Sequence, residues 1–131
     1  MKKFFLMMPF ILGSAAMAQE HDWGARFYAE NCAGCHGETA KGDGVLADYL
    51  TVDVPDLTSL SAANDGVFPM LRVIQIIDGR SGLRTHEKPM PLYGAIFRED
   101  LQPPMGMPGA SEPLVRGRVL SIAEYLQSIQ E

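Results

Sequence analysis

Apolar residues recur at helical spacing in three stretches of this chain, separated by long segments rich in turn-forming residues. Over Glu112–Ser128, Val115, Val119, Ile122, Leu126 and Ile129 form a stripe at steps of three and four, with Tyr125 at its edge. Ser111 is the expected N-cap of this helix, and Pro113 falls in its first turn, where a missing N–H leaves no bond unmade. Over residues 22–31, Trp23 and Phe27 share one face and Gly24 and Tyr28 the adjacent one. Gly24, Tyr28 and Cys32 follow at four-residue steps and so lie on one side. A third helix is predicted over residues 67–77, after Asn64-Asp65 and stopping at Asp78-Gly79. Elsewhere Gly42-Asp43-Gly44 and Pro55 mark turns. Lys88-Pro89-Met90-Pro91 and the Pro/Met/Gly run over residues 103–109 suit neither a helix interior nor a central strand. No strand pattern and no internal repeat stands out, so the chain reads as all-α.

The first 18 residues have the layout of a secretory signal. Lys2 and Lys3 precede an apolar run over residues 4–11, and Ala16-Met17-Ala18 is a small-x-small cleavage site. The apolar run is short and followed closely by Gly13, with Pro9 inside it, which argues against a permanent span, an uncleaved anchor being the alternative. The expected organisation is a signal over 1–18 and one domain over 19–131, exported to the periplasm. The whole chain has 11 basic and 16 acidic residues; loss of Lys2 and Lys3 takes the formal charge from −5 to −7. Such a chain repels nucleic acid and anionic lipid. Its expected partners are proteins with a basic or apolar docking face, although acidity also serves solubility alone. No later segment is long enough for a membrane helix, and a monomer is expected.

Cys32-Ala33-Gly34-Cys35-His36 holds the only two cysteines, two residues apart, with a histidine directly after. This is the attachment pattern of a c-type haem. Two thiols at this spacing can add to two vinyl groups of one porphyrin, and His36 is then held where its imidazole can ligate iron. A thioredoxin-like couple, half a zinc site and a local disulfide are the competing readings. Zinc would need further soft ligands, and His21 and His86 lack a metal-finger spacing. One covalent haem c per chain is expected, enclosed by a small all-α domain of three or more helices and loops.

The second axial position decides the chemistry, because a thioether raises the potential and closes the iron to small ligands. Met90 lies between two prolines, which hold its backbone extended and leave its sulfur little entropy to lose. It is the expected ligand, with Met105, Met107 and His86 as alternatives, while Met70 falls on the apolar side of the middle helix and is expected in the core. Arg80 and Arg84 are candidate partners for haem carboxylates, or else solvated surface charges.

With these motifs the chain resembles the class I bacterial cytochromes c over nearly all of residues 19–131. The resemblance rests on Cys32 to Gly37, Gly42-Asp43-Gly44, Pro55-Asp56-Leu57-Thr58 and Met90-Pro91-Leu92-Tyr93-Gly94 followed by Phe97. It implies that Gly24 and Tyr28 of the first helix cross Tyr125 of the last, and that the Pro55 carbonyl accepts the other N–H of His36. Tyr93 stands where related sequences often carry tryptophan, so any bond to a propionate would come from its hydroxyl. The Pro- and Met-rich stretch over residues 99–110 is longer than a minimal member needs. The implied function is a soluble periplasmic carrier of single electrons, not itself an enzyme. The alternatives are an electron-accepting subunit of a dehydrogenase or oxidase complex and, if Met90 does not bind iron, a gas-binding or peroxidase-like haem protein.

Overall fold

The computed structural model describes residues 22–80, 90–101, 109 and 111–131. Residues 1–18, His21, Arg84, His86, Met105 and Met107 lie outside the described residues, and so do the expectations placed on them. Among the described residues there are five α-helices and no strand: α1 (Trp23–Asn31), α2 (Ala33–His36), α3 (Met70–Asp78), α4 (Tyr93–Asp100) and α5 (Glu112–Ser128). Single 3₁₀ turns at Ala47–Tyr49, Leu57–Ser59 and Ala62–Asn64 carry the chain from α2 to α3.

Helix α1 starts where Asp22 accepts a hydrogen bond from the Ala25 amide at 2.9 Å, satisfying one of the orphan donors of its first turn. Helix α3 begins three residues later than its apolar pattern suggested. Pro69 disfavours helical backbone at Phe68, so the helix opens only at Met70. It stops as expected at Gly79, which adopts the left-handed conformation (φ 66°) and donates its N–H to the Gln75 carbonyl. Ser111 precedes α5 but its side chain makes no capping bond; its carbonyl accepts from Val115 at 2.9 Å instead. Helix α4 was not foreseen, because its eight residues carry a glycine and lie beside proline-rich segments. Glu99 and Asp100 are its last turn and no part of a loop.

Helix α5 is the hub: α1, α3 and α4 all pack on it. The stripe read from the sequence is the face that does so, with Val115, Val119, Ile122, Ala123 and Leu126 buried. They meet Tyr28 and Cys32 from the α1 side, Val73 and Ile77 from α3, and Phe97 from α4. Met70 is half-buried against this cluster, as expected. Helices α1 and α5 approach closely where a Cβ on Gly24 would strike the Ser121 carbonyl. Beside it the rings of Tyr28 and Tyr125 lie 5.2 Å apart, so the implied crossing forms.

Arg80 ties three helices together. Its guanidinium donates to Asp78 at the end of α3 (2.7 and 2.6 Å) and to Glu112 at the start of α5 (2.8 and 3.0 Å), beside Gly94 of α4. These bonds hold Glu112 at about 2 and lower Asp78 as well. Carboxylates depressed in the folded state stabilise it above their ordinary range, and that stability drains away as pH falls toward the folded value. For Glu112 the window runs from 4.5 down to about 2. Urea midpoints measured against pH should therefore fall less steeply across this window in Glu112→Gln than in wild type. At pH 7 the same variant should lose more stability than Arg26→Ala, because the Arg26–Glu30 pair is 59 % and 51 % exposed.

Candidate functional site

The cysteine–histidine pentad starts at the end of α1 and winds into one helical turn. Cys35 and His36 donate to the Cys32 carbonyl at 3.1 and 2.9 Å, and Gly37 donates to Ala33 at 2.9 Å. The following loop folds back and takes up the remaining acceptors: Leu46 donates to Gly34 (2.9 Å), Gly44 to Cys35 (3.1 Å) and Gly42 to His36 (2.8 Å). A Cβ at Gly44 would lie 2.5 Å from the Cys35 carbonyl, so only glycine admits this approach. Every backbone acceptor from Cys32 to His36 is thus engaged, which makes the motif a rigid platform.

His36 is then oriented from across the chain. Its Nδ1 stands 3.4 Å from the Pro55 carbonyl oxygen, the arrangement the resemblance implied. That carbonyl is placed by a local brace in which Asp56 accepts from the amide and hydroxyl of Thr58, both at 2.7 Å, while Leu57 donates to Ala40 at 2.8 Å. The end of the chain clamps the same loop, since Gln130 donates to Leu57 and accepts from Ser61, both at 2.8 Å. Burial lowers the pKa of His36, with the Pro55 bond opposing. A neutral ring that gives its Nδ1 proton to Pro55 keeps the Nε2 lone pair for a metal.

Beside this platform lies a cavity of ≈ 360 Å³, within the range of about 300–1,000 Å³ typical of ligand sites. Its walls are Leu57 and Leu60 from the brace, Val73, Ile76 and Ile77 from α3, and Tyr28, Ile122 and Leu126 from the α1–α5 crossing. Cys32, His36, Pro55 and Met90 all stand on this wall. A thiol, an imidazole and a thioether around a largely apolar cleft, with a second thiol at Cys35, are donors that a c-type haem takes. The residues fit the group. Cys35 is half-buried next to the cleft and does not line it. The two thiols are not joined, and burial together with Cys35 pushes the Cys32 thiol up to about 12. Among the described residues no group of three or more His, Cys, Asp or Glu stands ready to hold a metal ion, so a zinc site finds no further ligands there.

Two expectations change. Tyr93 donates its hydroxyl to the carbonyl of Asn31, the residue before Cys32. Its single phenolic proton is spent on bracing the Met90 loop against the pentad, leaving none for a propionate. Burial is the main cause that pushes this phenol up to about 12. Arg80 is likewise removed as a carboxylate partner, since Asp78 and Glu112 enclose its guanidinium away from the cleft. Sequence reasoning missed Arg72 and Asn64, which both line the cavity. The signal was there for Arg72, which precedes Ile76 by four residues and so shares its side of α3.

The family model described as Cytochrome c matches residues 22–130. No curated protein and no solved structure matches the chain.

Proposed function

The chain belongs to the cytochrome c family, whose members transfer electrons through covalently bound haem c, and from that premise we propose that it is a periplasmic monohaem carrier of single electrons. What supports the reading most is the joint presence of Cys32, His36 and Met90 on the wall of one apolar cleft. In this reading the Cys32 and Cys35 thiols would tether the haem. His36 and Met90 would hold its iron. Haem, when bound, supplies a one-electron ferric/ferrous couple.

The chain's own residues do the rest. Pro55 holds the His36 proton and fixes the ring; Tyr93 anchors the loop that carries Met90; Leu57, Ile77, Ile122 and Leu126 keep water from the cleft. Were His36 and Met90 both to hold the group, the site would suit a carrier rather than an enzyme. Residues 1–18 would direct export and then be removed, and among the described residues no helix is long and apolar enough to cross a membrane. The formal charge of −7 after that removal favours redox partners with a basic or apolar docking face.

Spectroscopy tests the ligand set. The ferrous protein should resist carbon monoxide, and the ferric protein should show the near-infrared band of methionine–iron ligation. Met90→Ala should bind carbon monoxide readily and lose that band, whereas Met107→Ala should change neither. Rapid carbon monoxide binding by wild type would reject Met90 and favour a gas-binding or peroxidase-like protein. Copurification with a large redox partner would instead favour the role of an electron-accepting subunit.

A further inference from the structure

The last turn of α5 and the two residues beyond Ile129 are bonded more heavily than the close of a helix needs. Gln130 uses its whole side-chain amide. Its NH₂ group donates to the Leu126 carbonyl at 2.7 Å and to the Leu57 carbonyl at 2.8 Å, and its oxygen accepts from the Ser61 amide at 2.8 Å. Closing α5 requires only the first of these, because the Leu126 carbonyl is among the acceptors that a helix leaves open at its end. The other two bonds leave the helix for the turn over residues 57–61. Glu131 adds a third tie to that turn, donating its amide to the Thr58 carbonyl at 3.0 Å. Lys41 joins the same two segments from the solvent side through Thr58 and Glu131.

This turn carries the backbone that orients His36. Pro55, whose carbonyl oxygen stands 3.4 Å from His36 Nδ1, lies two residues before Leu57. The Leu57 amide is held by the Ala40 carbonyl at 2.8 Å and the Leu57 carbonyl by Gln130, so both peptide units around Leu57 are fixed. At 3.4 Å the contact to His36 is long for a hydrogen bond, and a small retreat of the Pro55 carbonyl would break it. The ring therefore depends on how firmly the turn is moored. Gln130 supplies mooring from α5 without itself lining the cleft.

We propose that Gln130 is a positioning residue for His36: by tying the 57–61 turn to α5 it keeps the Pro55 carbonyl on the ring and so sets the reduction potential of the site. The inference rests on the haem reading above and goes beyond it by naming a residue outside the cleft that tunes the iron. The sign follows from charge. A carbonyl that accepts the Nδ1 proton makes imidazole a more basic ligand, which favours the ferric state. Loosening the turn weakens that bond, and the potential rises. Water admitted to an apolar cleft acts the other way, because solvent favours the more highly charged ferric iron and lowers the potential. Direction alone separates the two effects.

The test uses matured holoprotein in four forms: wild type, Gln130→Met, Gln130→Asn and Ser128→Ala. Intact mass and visible spectra come first, and a wild-type mass without porphyrin would reject the haem reading itself, and the role of Gln130 with it. Amide hydrogen exchange at Ser61 then reports on the tie, and a redox titration at near-neutral pH reports on the iron. Methionine fills the space of glutamine and makes none of its bonds. Gln130→Met should speed exchange at Ser61 and raise the potential, lowering the ferric-to-ferrous ratio at the wild-type midpoint by up to about tenfold, or about 59 mV. Asparagine is one methylene too short to hold Leu57 and Ser61 together, so Gln130→Asn should shift the potential less, in the same direction. It gives the answer should the methionine variant fail to mature. Ser128→Ala removes a bond to the Tyr125 carbonyl (2.7 Å) at the same helix end without touching the turn, and its potential should equal that of wild type. An unchanged potential in the Gln130 variants overturns the assignment. So does a downward shift, which would mean entry of water, or an equal rise in Ser128→Ala, which would mean a general effect of the helix end.

Discussion

A chain carrying Cys32→Ser and Cys35→Ser, exported and matured beside wild type, is expected to weigh only its amino acids and to lose the visible absorption entirely. Serine keeps the size of cysteine, so the turn of α2 and its backbone bonds to Gly42, Gly44 and Leu46 survive. What disappears is the nucleophile, because a hydroxyl does not add to a vinyl group under conditions where a thiolate does. The single variants should retain one tether each and give reduced yields of coloured protein. Far-UV circular dichroism of the double variant should also fall. A domain this small buries a limited core, and Ile77, Ile122 and Leu126 face the cleft as well as one another. A double variant that matures with the mass and colour of wild type would refute covalent attachment. Recovery of two alkylatable thiols from wild type after mild reduction would favour a disulfide instead.

Opposite signs are expected for one substitution made at two glycines. Gly24→Ala should destabilise the fold by roughly 3 kcal/mol, the upper part of the range for overpacking, since the atom met is the Ser121 backbone carbonyl, with the Tyr125 Cβ at 2.8 Å. Neither neighbour can give way by rotating a side chain; α1 and α5 would have to separate. Helix propensity favours alanine by only about 1 kcal/mol and does not offset this. Gly117→Ala lies within α5, and its Cβ would meet nothing within 4 Å. There the propensity term acts alone, and a gain of about 0.5–1 kcal/mol is expected. Urea unfolding of the two variants beside wild type measures both. The first loss is a large share of a total stability of about 5–15 kcal/mol. Equal and small effects at both positions would mean that the α1–α5 contact is looser than described.

Legibility of the sequence followed the range of each interaction. Helix α5 could be bounded correctly because its apolar stripe is long and Pro113 marks its start. The crossing of Gly24, Tyr28 and Tyr125 was legible only through family resemblance, since nothing local says that α1 meets α5. The apolar residues from Val67 point to an earlier opening of α3, but Pro69 outranks them and the helix opens at Met70. Helix α4 was hidden because eight residues beside proline-rich segments carry too few turns for a period to emerge. Of the residues around the cleft, Cys32, His36, Pro55 and Met90 had signals in spacing, proline context or resemblance. Arg72 had only its four-residue step to Ile76, and Asn64 had no signal.

By itself the sequence determined the local chemistry: two thiols and an imidazole within one helical turn, a methionine between prolines, and an apolar face along α5. These depend on covalent spacing and backbone preference, which a few neighbouring residues settle. Only the tertiary structure decided which partners the polar side chains take. Arg80 closes on Asp78 and Glu112, Tyr93 spends its proton on Asn31, and Arg72 is left at the rim of the cleft. A long polar side chain can reach several partners, and which one it meets is set by how distant helices pack.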